Sequence, residues 1–125
     1  MKKIIHTSNA PQPIGPYSQA ILINNILYVS GQVAIDPVTG LLDTGNIILE
    51  TQQVMKNILA ILKAAEMDYS HIIKTSIFLT DMNNFAKVNE VYGSYFEKDF
   101  PARETVQVVR LPKDANVEIT IVAIK

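Results

Sequence analysis

Residues 117–124, Val-Glu-Ile-Thr-Ile-Val-Ala-Ile, constrain this chain more than any other segment. The run is rich in β-branched residues and reads as a strand. Side chains alternate across a strand, so Val117, Ile119, Ile121 and Ala123 point one way. Glu118, Thr120, Val122 and Ile124 point the other. Both sets carry apolar residues, so both faces of the sheet need cover.

The rest of the chain supplies cover for one face. Residues 46–66 follow a helical period: Val54, Ile58, Ile61, Leu62 and Ala65 share one stripe, with Gln52, Gln53, Lys56 and Lys63 at polar positions. A second helix follows Thr80-Asp81, a good N-cap, with Phe85, Val88, Tyr92 and Tyr95 or Phe96 as its buried stripe. Residues 18–23 and 26–30 are apolar runs separated by Asn24-Asn25, the pattern of a tight β-hairpin. Further strands are expected at 72–79 and 103–111, and a short edge strand at 1–5. Residues 9–16 hold Pro11, Pro13, Pro16 and Gly15 and read as a stiff irregular segment. Turns fall at 36–40 and 112–114. The order is ββ-α-β-α-ββ, plus the edge strand. This predicts an α+β fold, a mixed sheet with two helices packed on one face. Sheet-against-sheet packing between copies would cover the other face, because apolar surface left wet forfeits roughly 25 cal/mol per Å².

The chain has 125 residues, enough for one domain spanning 1–125. Its net charge of −1 offers no field for a phosphate backbone, so nucleic acid is a poor partner. It has no cysteine, which excludes disulfides and thiol chemistry and fits a reducing compartment. Lys2-Lys3 is followed by only Ile4-Ile5 before polar residues, too short for a signal peptide. No stretch approaches the roughly 20 apolar residues of a membrane helix. A soluble, cytoplasmic protein without membrane partners is expected.

Few residues suit chemistry. Arg103 opens a strand after Phe100-Pro101-Ala102, and its guanidinium fork fits a carboxylate bidentately. The other reading is a surface arginine, or a salt bridge to Glu104 or Glu118. Glu118 is a lone carboxylate in an apolar strand. Burial would raise its pKa and suit it to proton transfer; the alternative is a solvent-facing strand residue. Thr105 shares a strand face with Arg103 and can hydrogen-bond a ligand or simply fill the strand. Tyr17 can wall a pocket or pack in the core. Gly31, between Ser30 and Gln32, permits close backbone approach or marks a bulge. His6 and His71 are isolated, and no metal or nucleotide motif is present. Chemistry here is expected to need no metal and no cofactor.

Taken together, Ile14-Gly15-Pro16-Tyr17-Ser18-Gln19-Ala20, Ser30-Gly31-Gln32, Pro101-Ala102-Arg103, Arg110-Leu111-Pro112-Lys113-Asp114 and Val117-Glu118-Ile119 resemble the RidA/YjgF family. Lys74-Thr75, Phe78, Asp81-Met82, Phe85, Val88-Asn89 and Tyr92 fall in the expected order between them. Each motif alone is weak; their joint order and spacing over essentially the whole chain are specific.

The resemblance implies a chorismate-mutase-like fold, a homotrimer and ligand clefts between subunits. It implies hydrolysis of 2-iminobutanoate or 2-iminopropanoate to 2-keto acids and ammonia. Arg103 would bind the substrate carboxylate and Glu118 would position or activate water. Tyr17, Ser30, Gly31, Asn89 and the backbone near Thr105 would complete the cleft. The runner-up is a non-catalytic regulatory protein that binds small carboxylates in the same cleft. A ribonuclease or translation inhibitor is a third reading, opposed by the charge balance and the lack of a histidine pair. Three departures stand out. Thr105 occupies a position where many members have cysteine. Ala64-Ala65-Glu66 lacks the usual glycine after the helix. The loop before Pro101 looks shorter than in some relatives.

Overall fold

The computed structural model describes all 125 residues. Its strands are β1 (Lys3–Ile5), β2 (Ala20–Ile23), β3 (Ile26–Val29), β4 (Ile72–Leu79), β5 (Ala102–Gln107) and β6 (Val117–Ile124). The helices are α1 (Ile47–Ala64) and α2 (Phe85–Gly93). The strands form one sheet in the order β1-β2-β3-β6-β4-β5, so the strand apolar on both sides lies inside it. Only β4 and β5 are parallel, since α2 carries the chain back between them. The other pairs are antiparallel.

Local chemistry explains the elements. Asn24 and Asn25 take φ of 49° and 66°, the left-handed pair that a two-residue hairpin between β2 and β3 requires. Asn46 caps α1 by accepting from the Ile48 and Leu49 amides at 2.9 and 3.2 Å, worth about 1 kcal/mol. The predicted stripe of α1 is buried: Val54, Ile58, Ile61 and Leu62 have no exposure, and Ala65 lies just past the last turn. With Leu27, Val29, Ile77, Leu79, Val117, Ile119, Ile121 and Ala123 they form a continuous core. Each fully buried Ile or Leu in it contributes roughly 1.5–3 kcal/mol.

The helices cover the face carrying Ile119 and Ile121. Tyr28, Ile124 and Val106 remain exposed on the opposite face, with half-buried Val122 and Phe78. That face is mixed, because Lys74 and Ser76 of β4 both bind Glu104 of β5 across it. Glu104, considered above as a partner for Arg103, therefore points away from it.

Four expectations need correction. The strand expected over 103–111 stops at Gln107, because β4 ends at Leu79 and offers no partner beyond the Val108 amide, which bonds the Leu79 carbonyl. Asp81 caps a short 3₁₀ turn, Met82–Asn84, which leads into α2. α2 itself ends at Gly93, so Tyr95 and Phe96 lie beyond it and pack in an aromatic cluster with Tyr69 and Tyr92. Phe85 is not in the core; its ring faces the Arg103 guanidinium.

Candidate active site

All but Thr105 of the candidate site residues fall into two clefts on opposite faces of the sheet. The first, of about 520 Å³, lies between the proline-rich segment and the start of β6. Tyr17, Ser30, Gly31 and Glu118 all line it. Gly15, at φ 121°, makes the bend that presents Tyr17, and the Tyr17 amide bonds the Gly15 carbonyl at 3.0 Å. Buried Gln19 fastens the same segment, accepting from the Thr7 amide at 2.7 Å and donating to the Pro11 carbonyl at 2.9 Å. The Ser30 hydroxyl donates to the Ser18 carbonyl at 2.5 Å.

Gln32 and Ile119 exchange backbone hydrogen bonds of 2.9 and 3.0 Å, which brings Gly31 beside Glu118. A Cβ on Gly31 would meet the Glu118 carboxyl carbon at 2.8 Å. Gly31 is thus small because a carboxylate crosses it. Burial pushes the Glu118 pKa up from the ordinary carboxylate value. Tyr17 and Lys113 are the other titratable residues in the lining. Asn57, buried in α1, donates to the Val33 and Ile35 carbonyls at 3.1 and 2.9 Å and so fixes the cleft wall that follows Gln32.

The second cleft, of about 460 Å³, is lined by Asn89, Tyr92, Gly93, Phe100, Pro101 and Arg103. Arg103 pairs with Thr75 in register, on the helix side of edge strand β5. Its guanidinium donates to the Asn89 side-chain oxygen and lies 5.7 and 5.5 Å from the Phe85 and Tyr92 ring centres. Stacking and the hydrogen bond pre-orient the fork. Burial raises the Tyr92 pKa, and its hydroxyl donates to Thr75 at 2.9 Å.

Thr105 shares the Arg103 face, as its position two residues on requires, but lines neither cleft. Its hydroxyl is buried and unpaired within the chain. Arg103 and Glu118 do not meet. Glu118 pairs in register with Phe78, on the face opposite Thr75 and Arg103. Sequence reading missed Gln12, Gln32 and Lys113 as cleft residues. Lys113 carried a signal, since it sits in the 112–114 turn within the segment Arg110-Leu111-Pro112-Lys113-Asp114, but the turn alone gave no direction. His6 bonds Gln12 and His71 bonds Asp68, and no group of three His, Cys, Asp or Glu residues is close enough to hold a metal. No helix is long and apolar enough to cross a membrane.

Sheet, helices and clefts define a small α+β protein with separate pockets sized for small molecules. The chain belongs to the RidA/YjgF family: the sequence model described as Endoribonuclease L-PSP matches residues 7–125. A RutC family protein of Pyrococcus horikoshii is 53% identical over 125 residues, covering 100% of this chain and 99% of that relative. Human 2-iminobutanoate/2-iminopropanoate deaminase is 46% identical, covering 100% of this chain and 91% of the human protein. A Rid family protein of Yersinia pestis, described as of unknown function, superposes with a TM-score of 0.98 at 51% identity over the full length of both chains. E. coli TdcF, solved with bound serine, gives a TM-score of 0.94 at 39% identity over 98% of each chain.

Proposed function

We propose that this protein hydrolyses small 2-imino acids to 2-keto acids and ammonia. One observation carries the reading: a half-buried carboxylate of raised pKa, Glu118, at a cleft whose glycine leaves room for it. A carboxylate of that kind is a stronger base than an exposed one and suits proton transfer. Full-length similarity to proteins named 2-iminobutanoate/2-iminopropanoate deaminase supports the same chemistry.

Arg103 clamps the substrate carboxylate and thereby fixes the electrophilic imine carbon. Glu118 orients a water and takes its proton as the C–O bond forms. With the imine protonated, that proton passes from Glu118 to the amine nitrogen of the carbinolamine. Glu118 then takes the carbinolamine hydroxyl proton as C=O forms and the C–N bond breaks, releasing keto acid and ammonia. Tyr17, Ser30 and Gly31 form the wall on the Glu118 side. Asn89 holds the arginine, and Thr105 offers an unpaired hydroxyl beside it.

Arg103 and Glu118 lie on opposite faces of one chain, so the complete site requires a second copy. In a cyclic homotrimer, Arg103 of one copy faces Glu118 of the next, and the exposed sheet face is covered at the same time. No metal or cofactor takes part. The decisive experiment generates 2-iminobutanoate in situ and follows keto-acid formation with and without the protein. Arg103→Ala should remove most of the acceleration in a folded, assembled protein, and Arg103→Lys should do little better because a point charge lacks the fork. Ligand binding without any acceleration would favour a carboxylate sensor instead.

A further inference from the structure

Glu50 is the only acidic residue of the chain that is fully buried. It lies in the first turn of α1 and takes part in none of the chain's ion pairs. Its two oxygens are used separately. Oε2 accepts the Asn116 backbone N–H at 2.7 Å, and Oε1 accepts the Asn116 side-chain amide at 2.8 Å. Burying a charge without a counter-charge is costly unless hydrogen bonds satisfy it, and the amide end of a helix offsets part of that cost.

Asn116 is a junction. Its carbonyl accepts the Thr80 amide at 3.2 Å, just past the end of β4, and its side chain also reaches the Thr44 carbonyl at 3.3 Å. The turn before it contains Lys113 and Asp114, both left-handed, at φ 57° and 56°. Glu118 follows two residues later. Whatever sets Asn116 therefore sets where β6 enters the sheet, how Lys113 meets the cleft and where the Glu118 carboxylate crosses Gly31.

We propose that Glu50 is a positioning residue, acting through Asn116 to hold Glu118 and Lys113 in register at the cleft. Its role in turnover rests on the deaminase reading above. An amide cannot substitute. Both Asn116 groups that face Glu50 are donors, while glutamine offers one acceptor and one donor. Glu50→Gln keeps the shape but sets an N–H against an N–H, and the junction must shift. A displacement of about 1 Å at a reacting group can cost on the order of a hundredfold in rate.

The test measures two things: steady-state deamination, and titration of the Glu118 carboxylate by ¹³C NMR. Glu50→Gln is expected to lower kcat roughly ten- to hundredfold with little change in KM. The Glu118 titration should move from its raised position toward the ordinary range. Adding Asn116→Asp reverses the polarity of the pair, so the amide introduced by Glu50→Gln can donate to it while still accepting the backbone N–H; only the long, exposed 3.3 Å bond to the Thr44 carbonyl is given up. The double variant should recover both readouts. A folded, assembled Glu50→Gln protein with wild-type kcat and unchanged Glu118 titration overturns the proposal. So does a loss that the double variant fails to recover. If Glu50→Gln does not fold, Asn116→Ala removes one of the two bonds and is judged by kcat and titration alone. If the wild type shows no turnover, the deaminase reading fails, while the titration still decides whether Glu50 positions Glu118.

Discussion

The Glu118 carboxylate and the Gly31 backbone occupy complementary space: a Cβ on Gly31 would lie 2.8 Å from the carboxyl carbon and 2.9 Å from Oε2. Gly31→Ala is therefore expected to displace the flexible end of Glu118 while leaving the fold in place. Turnover should fall by roughly tenfold or more, with thermal stability close to wild type. Wild-type kinetics in Gly31→Ala would mean that the carboxylate position does not matter for the reaction.

Half-burial raises the Glu118 pKa, so the folded chain holds that proton more tightly than the unfolded chain does. Its contribution to stability is fully present below the unfolded-state pKa and is lost as pH rises through the folded-state pKa. Glu118→Gln, which has no charge to desolvate, should be more stable than wild type at pH 7. The advantage should shrink as the pH drops toward the ordinary carboxylate value of about 4.3. Turnover should fall while keto-acid binding is largely kept. Denaturant unfolding at the two pH values checks the first part, and an advantage that does not change with pH would contradict it.

Glu66 stands where a helix-ending glycine is usual. It takes φ of 58°, and the Met67 amide reaches back to the Leu62 carbonyl at 2.9 Å while the Glu66 amide bonds Lys63. A left-handed residue with a Cβ is strained there. Glu66→Gly should stabilise the protein by about 0.5–1 kcal/mol. Its contact with Lys125, exposed and 3.4 Å long, offsets little of this. An unchanged or lowered unfolding midpoint would count against the strain.

Val122 lies on the sheet face that the helices leave open, whereas Ile121 is buried beneath them. If copies pack on that face, Val122→Asp should break assembly and turnover together, since it would place a carboxylate in the interface. The wild type should show about three times its 13.9 kDa chain mass in light scattering. A folded, active monomer at micromolar concentration would rule out both the trimer and the shared cleft.

Much of the architecture was legible in the sequence because it follows from period and turn chemistry. Asn24-Asn25 dictates a hairpin through its backbone preference, the α1 stripe announces its buried face, and the alternation of 117–124 demands cover on both sides. Glu118 and Arg103 stood out because a lone acid in an apolar strand and an arginine at a strand mouth are locally unusual. Element ends were less legible: β5 stops where β4 stops, a fact of pairing between distant segments. Strand order is also non-local. Only the fold places β4 between β5 and β6, and only its register puts Arg103 and Glu118 on opposite faces. The match of Gly31 to Glu118 and of Glu50 to Asn116 joins residues 87 and 66 positions apart, with no periodicity to link them. Period and propensity act over a few residues, so the sequence determined the elements and their faces, while close packing between distant segments decided which side chains share a cleft.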